Sequence, residues 1–227
     1  MPKLYKRDES PPARTVMVVA HILGLSYEPH DLNPVFRDQD TPEMVKKNPM
    51  KTIPTWEEDD FCLADSHAII MYMLEKYGKP EHEYLYPKDQ KKRATIHQRL
   101  FFDCGILFPR LRAIMAPTYM GTLTELSKSK ITNLESAYEV LENYLQENLY
   151  LADDNITLAD ISIFTTMSSL YGIYPIDVTR FPKLKAWCDT MSEQDYNKKI
   201  NELGAKEHAD GILAIMNYNK KKQMAKL

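Results

Sequence analysis

The sequence predicts a small layered α/β domain followed by an all-helical domain, and three observations lead there. Strand-like and helix-like patterns alternate from Lys3 to Tyr77, strand signals nearly vanish beyond Asp89, and a charged segment with Pro80 and Pro87 lies between the two regimes. The expected division is 1–78, a linker at 79–88, and 89–227.

Lys3 to Tyr5 is a short strand candidate, broken by Asp8-Glu9-Ser10-Pro11-Pro12 ahead of an apolar helix from about Ala13 to Leu23. Prolines suit a helix's first turn, where their missing N–H has no partner anyway. Gly24 is the expected stop. Leu25 to Leu32 reads as a second strand, and Thr41-Pro42-Glu43 opens a short helix before Asn48-Pro49. Thr55-Trp56 and Phe61 to Leu63, joined across Asp59-Asp60, form a hairpin, and a helix from Ser66 to Tyr77 ends at Gly78.

In the second half, Asp89 to Ala116 is one long helical pattern, disturbed at Pro109 and ended by Pro117. Thr124 to Glu147 is another, with Leu134, Ala137, Tyr138, Leu141 and Leu145 at helical spacing. Ile156-Thr157-Leu158-Ala159-Asp160-Ile161 is a helix-start device: Thr157 caps forward, Asp160 reaches back, and Ile156 staples onto Ile161. Phe181-Pro182 with Leu184, Trp187 and Met191 supplies a further helix, and Ile212, Ile215 and Met216 supply the last.

A chain of 227 residues has enough length for an adequate core, and seven glycines without a low-complexity tract argue against disorder. The start lacks a signal-peptide core and no stretch approaches the roughly 18 apolar residues of a membrane span, so a soluble, cytoplasmic protein is expected. Cys62, Cys104 and Cys188 form neither a disulfide framework nor a Cys-x-x-Cys motif, which suits a reducing compartment. A net charge of −3 gives no pull toward nucleic acid, and Lys220 to Lys222 read as a solvated terminus. The six histidines show no ligand spacing, so no metal is expected.

Chemistry is expected around Asn48 to Ile69. Pro54 cannot donate to a sheet ladder and belongs at a strand's first residue. The Ile53-Pro54 bond is a candidate for the cis form, in which the Ile53 N–H and C=O face outward for an extended peptide to pair with. Asp65-Ser66 precede a helical pattern, so Ser66 is the expected N-cap; free N–H groups there attract a carboxylate, and Asp65 stands ready to hold an amine.

Each feature alone is commonly structural. Together, Asn48-Pro-Met-Lys-Thr-Ile-Pro-Thr55 and Asp65-Ser-His-Ala-Ile69 resemble the glutathione-binding segment of the cytosolic glutathione transferases, closest to the insect delta and epsilon classes, whose pattern has Gln-His at Met50-Lys51. Ser10-Pro-Pro-Ala-Arg14 is similar to the Ser-x-Pro-x-Arg pattern whose serine activates glutathione. The resemblance implies a thioredoxin-like N-terminal domain, an all-α C-terminal domain and a homodimer. It also implies glutathione as co-substrate and a small apolar electrophile as partner, while the residues themselves lead us to expect no metal, nucleic acid or membrane.

The carried-over roles follow from thiol chemistry. A thiol with a pKa near 8.5 is mostly protonated at neutral pH, and only the thiolate attacks well. The Ser10 hydroxyl, donating to sulfur near a helix N-terminus, favours the anion; two pH units correspond to about 2.7 kcal/mol. The resemblance puts the Ile53 backbone and Pro54 at the cysteinyl unit and Asp65 and Ser66 at the γ-glutamyl end, where His67 adds a hydrogen bond or is a surface residue. Lys51 replaces the family's usual histidine near the glycyl carboxylate with a longer, fully charged donor, and Gln39 departs from another.

The electrophile pocket carried over comprises Pro12, Phe108, Arg112, Met115, Ala116, Tyr119 and Met120, closed by Ile212 and Met216. Core packing is the plainer reading for Phe108; Arg112 on an apolar face calls for an anion or carboxylate partner. Relatives often have glutamate where Ala116 stands, so a more apolar, methionine-adapted pocket is expected. The alternatives are a non-catalytic ligand-binding member of the fold and a glutathione-dependent enzyme of a steroid or lipid pathway. Thiol–disulfide or dehydroascorbate reduction would need a cysteine in place of Ser10.

Overall fold

The structure is a computed structural model that describes residues 1–225; the last two residues of the expected helical domain lie outside the described residues. Four strands, β1 (Lys3–Lys6), β2 (Glu28–Asp31), β3 (Thr55–Glu58) and β4 (Phe61–Ala64), form one mixed sheet in the order β2-β1-β3-β4. β1 runs parallel to β2 and antiparallel to β3, which pairs antiparallel with β4. The registers Leu4↔Trp56 and Trp56↔Leu63 set Leu4 and Trp56, both fully buried, side by side. Helices α1 (Pro11–Leu23) and α3 (Ser66–Tyr77) pack together over this core through Val16, Val19, Ile69, Ile70 and Met73. A short α2 (Pro42–Lys47) is capped by Thr41, whose hydroxyl accepts from the Met44 N–H at 3.3 Å.

Several boundaries depart from the sequence reading for local reasons. α1 starts at Pro11 because the Arg14 N–H already bonds the Ser10 carbonyl at 3.0 Å. β2 is only four residues long: Gly24, at φ 66°, closes α1, and the Leu25 N–H is spent on the Ala20 carbonyl at 2.9 Å. Gly78 ends α3 without positive φ; a Cβ there would lie 2.3 Å from the Leu74 carbonyl oxygen, so only glycine fits. The segment read as a linker contains a 3-10 turn, Pro80–Leu85, and buries Leu85 completely.

Among its described residues the second half holds helices and no strand: α4 (Gln90–Phe102), α5 (Phe108–Tyr119), α6 (Lys128–Tyr144), α7 (Leu158–Ile173), α8 (Pro182–Ser192) and α9 (Glu202–Met224). The long pattern from Asp89 is interrupted by a π turn, Asp103–Leu107, in which the Phe108 N–H reaches the Asp103 carbonyl. Pro109, which cannot donate, then sits in the first turn of α5. Pro117 does not end α5, which runs on to Tyr119. α7 is buried almost all round and forms the axis of this half, touching α1 on one side and α9 on the other. Its capping box is present: the Asp160 carboxylate accepts from the Thr157 N–H at 2.9 Å, and also from the Leu151 N–H and the Trp187 indole. No helix among the described residues is long and apolar enough to cross a membrane.

Candidate active site

Between the sheet-bearing half and the helical half lies a cleft of about 760 Å³. One wall carries Ser10, Pro12, Thr15, Arg37, Gln39, Met50, Lys51, Ile53, Pro54, Asp65, Ser66 and His67. The other carries Asp103, Cys104, Phe108, Arg112, Met115, Ala116, Tyr119, Met120 and Thr166. Every expected site residue lines this cleft except Ile212 and Met216. Those two are a correction: α9 turns them into the core of the helical half, where they are buried in the cluster that holds Leu111 and Ile114.

Ser10 is the N-cap of α1, at φ −77° and ψ 117°, yet its hydroxyl makes no capping bond. A cap serine's oxygen accepts from the N–H of the second or third helical residue; the second here is Pro12, which has none, and the third, Ala13, does not donate to it. The hydroxyl is therefore uncommitted, facing the cleft with a helix N-terminus behind it.

The Lys51 to Pro54 segment is held by Asn48, a buried side chain whose amide nitrogen donates to the Thr52 carbonyl at 2.8 Å and to the Thr55 hydroxyl at 3.1 Å. Lys51 is exposed in left-handed backbone, φ 55°, and the Ile53-Pro54 peptide bond is cis. Among the described residues none bonds the Ile53 backbone N–H or C=O, which leaves both for an extended ligand.

Asp65, not Ser66, caps α3: its carboxylate accepts from the His67 N–H at 2.9 Å and the Ala68 N–H at 3.3 Å. Ser66 is the first helical residue and is buried. Asp65 takes φ 74° and ψ 118°, a conformation L-residues avoid at a cost of about 1–3 kcal/mol, so a non-glycine residue there is held by what surrounds it. The hydrogen bond from His67, ahead of the opposing effect of burial, keeps its carboxyl below the usual aspartate range.

His67 is neither exposed nor free. Its ring lies 3.2 Å from Asp65 Oδ1, 3.3 Å from Asp103 Oδ2 and 3.0 Å from Ser162 Oγ, and Ser162 donates to the same Asp103 oxygen at 2.6 Å. Burial works against the imidazolium, but the Asp103 and Asp65 bonds outweigh it and hold its pKa up at about 9. The π turn aims Asp103 at this point, and its other oxygen, Oδ1, is buried without a partner.

Arg14 was legible only as part of a motif. It is completely buried and bonds Ser169 Oγ at 2.6 Å, Ser168 Oγ at 3.3 Å, the Thr165 carbonyl, and both the side chain and the carbonyl of Asn201. None of these partners is a carboxylate, and burial pulls the guanidinium down to about 9. Thr15 bonds Thr165 beside it at 2.6 Å. The signal that was available is the run of hydroxyls Ser162, Thr165, Thr166, Ser168 and Ser169 inside an otherwise apolar helix. A smaller groove of about 330 Å³ lies behind, lined by Ser168, Asn201 and α9, and collects none of the expected residues.

Comparison with known proteins gives a consistent family. Residues 4–81 match the glutathione S-transferase N-terminal domain model and residues 67–195 the C-terminal domain model. The chain is 39% identical over 203 residues to glutathione S-transferase 1 of Manduca sexta, spanning 88% of this chain and 92% of that one. Among solved structures it is similar to an epsilon-class glutathione S-transferase from the housefly, Musca domestica, with a TM-score of 0.91, 38% identity, and coverage of 95% and 98%. A glutathione transferase homologue from Drosophila mojavensis, solved with bound glutathione, gives a TM-score of 0.87 at 34% identity, covering 96% and 97%.

Proposed function

Because the chain belongs to the glutathione S-transferase family, we propose that it conjugates the glutathione thiolate to small apolar electrophiles, in a detoxifying role, with Ser10 as the thiolate-stabilising residue. The observation that carries this reading is the single cleft in which an uncommitted serine hydroxyl and an unpaired extended backbone at Ile53 face an apolar wall of Phe108, Met115, Tyr119 and Met120.

In this reading glutathione lies along Ile53 as an added strand, its glycyl carboxylate toward Lys51 and its γ-glutamyl amine and carboxylate toward Asp65 and the N–H groups at Ser66. The thiol gives its proton to solvent, and the Ser10 hydroxyl donates to the remaining thiolate. That sulfur attacks the electrophilic carbon, a C–S bond forms, and the leaving group departs with its electron pair. Rate comes from proximity and from stabilising the anion, and Ser10 needs no His–Asp pair. The family reading carries with it a cytoplasmic homodimer, which the exposed Phe101 and Ile106 on the helical half support as apolar surface for a second copy.

The test uses 1-chloro-2,4-dinitrobenzene with wild type and Ser10→Ala, alongside the ultraviolet titration of the bound thiol. We expect kcat to fall about a hundredfold and the thiol to titrate about two pH units higher in the variant. Identical titrations in the two proteins would remove Ser10 from the reaction. Binding of glutathione by calorimetry with no turnover of any halide would replace the enzyme by the second reading, a ligand-sequestering member of the same fold.

A further inference from the structure

We propose that the electrophile taken by this cleft carries a carboxylate, recognised by Arg112; this rests on the transferase reading above and narrows its substrate class. Arg112 lies on α5 with Phe108 four residues before it and Met115, Ala116 and Tyr119 three, four and seven residues after it, so all share one helix face, and all line the cleft. An acidic side chain one turn away would pair with a cation on such a face. The four positions that offer one are Phe108, Pro109, Met115 and Ala116, and none is acidic.

Tertiary structure supplies no partner either. Among the described residues no carboxylate pairs with Arg112 and no carbonyl accepts from it. The other cations of the cleft are committed: Arg37 is bonded to Asp40, and Lys51 stands at the end assigned to the glycyl carboxylate. The cleft's own carboxylates, Asp65 and Asp103, are held by His67 and Ser162. What remains is a five-donor guanidinium over an apolar floor of Phe108, Met115 and Tyr119, a geometry that matches a planar carboxylate bidentately while the floor takes the apolar body. An amphipathic acid, aryl or long-chain, is the substrate class with both parts.

The experiment compares two aryl halides that differ by one carboxylate group, 1-chloro-2,6-dinitrobenzene and its 4-carboxylate. In each, the glutathione sulfur bonds to the ring carbon and chloride leaves with the electron pair. The readout is the ratio of kcat/KM for the carboxylate over the neutral halide, taken within each protein. Wild type should favour the carboxylate, and Arg112→Gln should lower the ratio about two- to fivefold, a modest factor because Arg112 is exposed in the open cleft. Ala116→Glu, which places an acid one turn from an intact Arg112, should lower it as well, and raised salt should lower it in wild type alone. A ratio unchanged by both substitutions overturns the proposal even if conjugation is brisk. Failure to conjugate either halide overturns the transferase reading itself and is seen in wild type before any variant is made.

Discussion

Replacing His67 by glutamine should abolish a pH dependence of stability that the wild-type protein shows on its alkaline side. Between α3 and the helical half, the His67 ring is hydrogen-bonded to Asp65, Asp103 and Ser162, and its pKa rises from 6.5 to about 9. A folded-state pKa above the unfolded one means that the native state binds the proton more tightly. The resulting stabilisation is complete below pH 6.5 and is lost as pH rises through 9. The interval is worth about 3 kcal/mol at 1.36 kcal/mol per pH unit. Glutamine cannot titrate, and it leaves Asp103, which is 3% exposed, paired with Ser162 alone. We therefore expect the variant to be less stable than wild type at pH 6 by a few kcal/mol, within the usual 3–5 kcal/mol for breaking a buried pair. The gap should narrow by about 3 kcal/mol by pH 9.5. Urea unfolding midpoints at pH 6, 7.5 and 9.5, taken at one protein concentration so that subunit association does not intrude, measure this directly. Parallel profiles for the two proteins would refute a charged imidazole between the halves.

The opposite sign is expected at His208 on α9, which is buried with neither ring nitrogen bonded. Burial, then the nearby Arg14 charge, push its pKa down to about 4, with Glu9 opposing. Its neutral form is the native one, so stability is full above pH 6.5 and declines as pH falls toward 4; His208→Phe should flatten that acid limb, and an unchanged midpoint at pH 5 relative to pH 7 would contradict it. Gly204→Ala should destabilise by about 1–3 kcal/mol or more, because the added Cβ would stand 2.3 Å from the Asp8 carbonyl oxygen and 2.9 Å from Arg14 Cδ. An unaltered melting temperature would show that the Asp8 backbone has room to move.

The alternation of strand and helix in the first eighty or so residues was legible because local chemistry fixes it: prolines at α1, Thr41 at α2, Gly24 and Gly78 at helix ends. The cleft residues Ser10, Lys51, Ile53 and Asp65 were legible as a motif. What the sequence hid was tertiary. Ile212 and Met216 have helical spacing but no signal for which neighbour α9 turns them toward. Asp65 rather than Ser66 caps α3 because its backbone takes a conformation no local rule favours. The roles of Arg14, Asp103 and Ser162 depend on pairings across 36 to 187 residues of chain, beyond any periodicity.

The buried guanidinium of Arg14 has a consequence for anyone who would recombine these proteins. Its anchors all belong to the other half of the molecule, on α7 and just before α9, so the two halves are not interchangeable parts. A hybrid that grafts a foreign helical half onto this sheet must bring Ser168, Ser169 and Asn201 with it, or strand a cation in a dry seam one helical turn from the serine that faces the cleft.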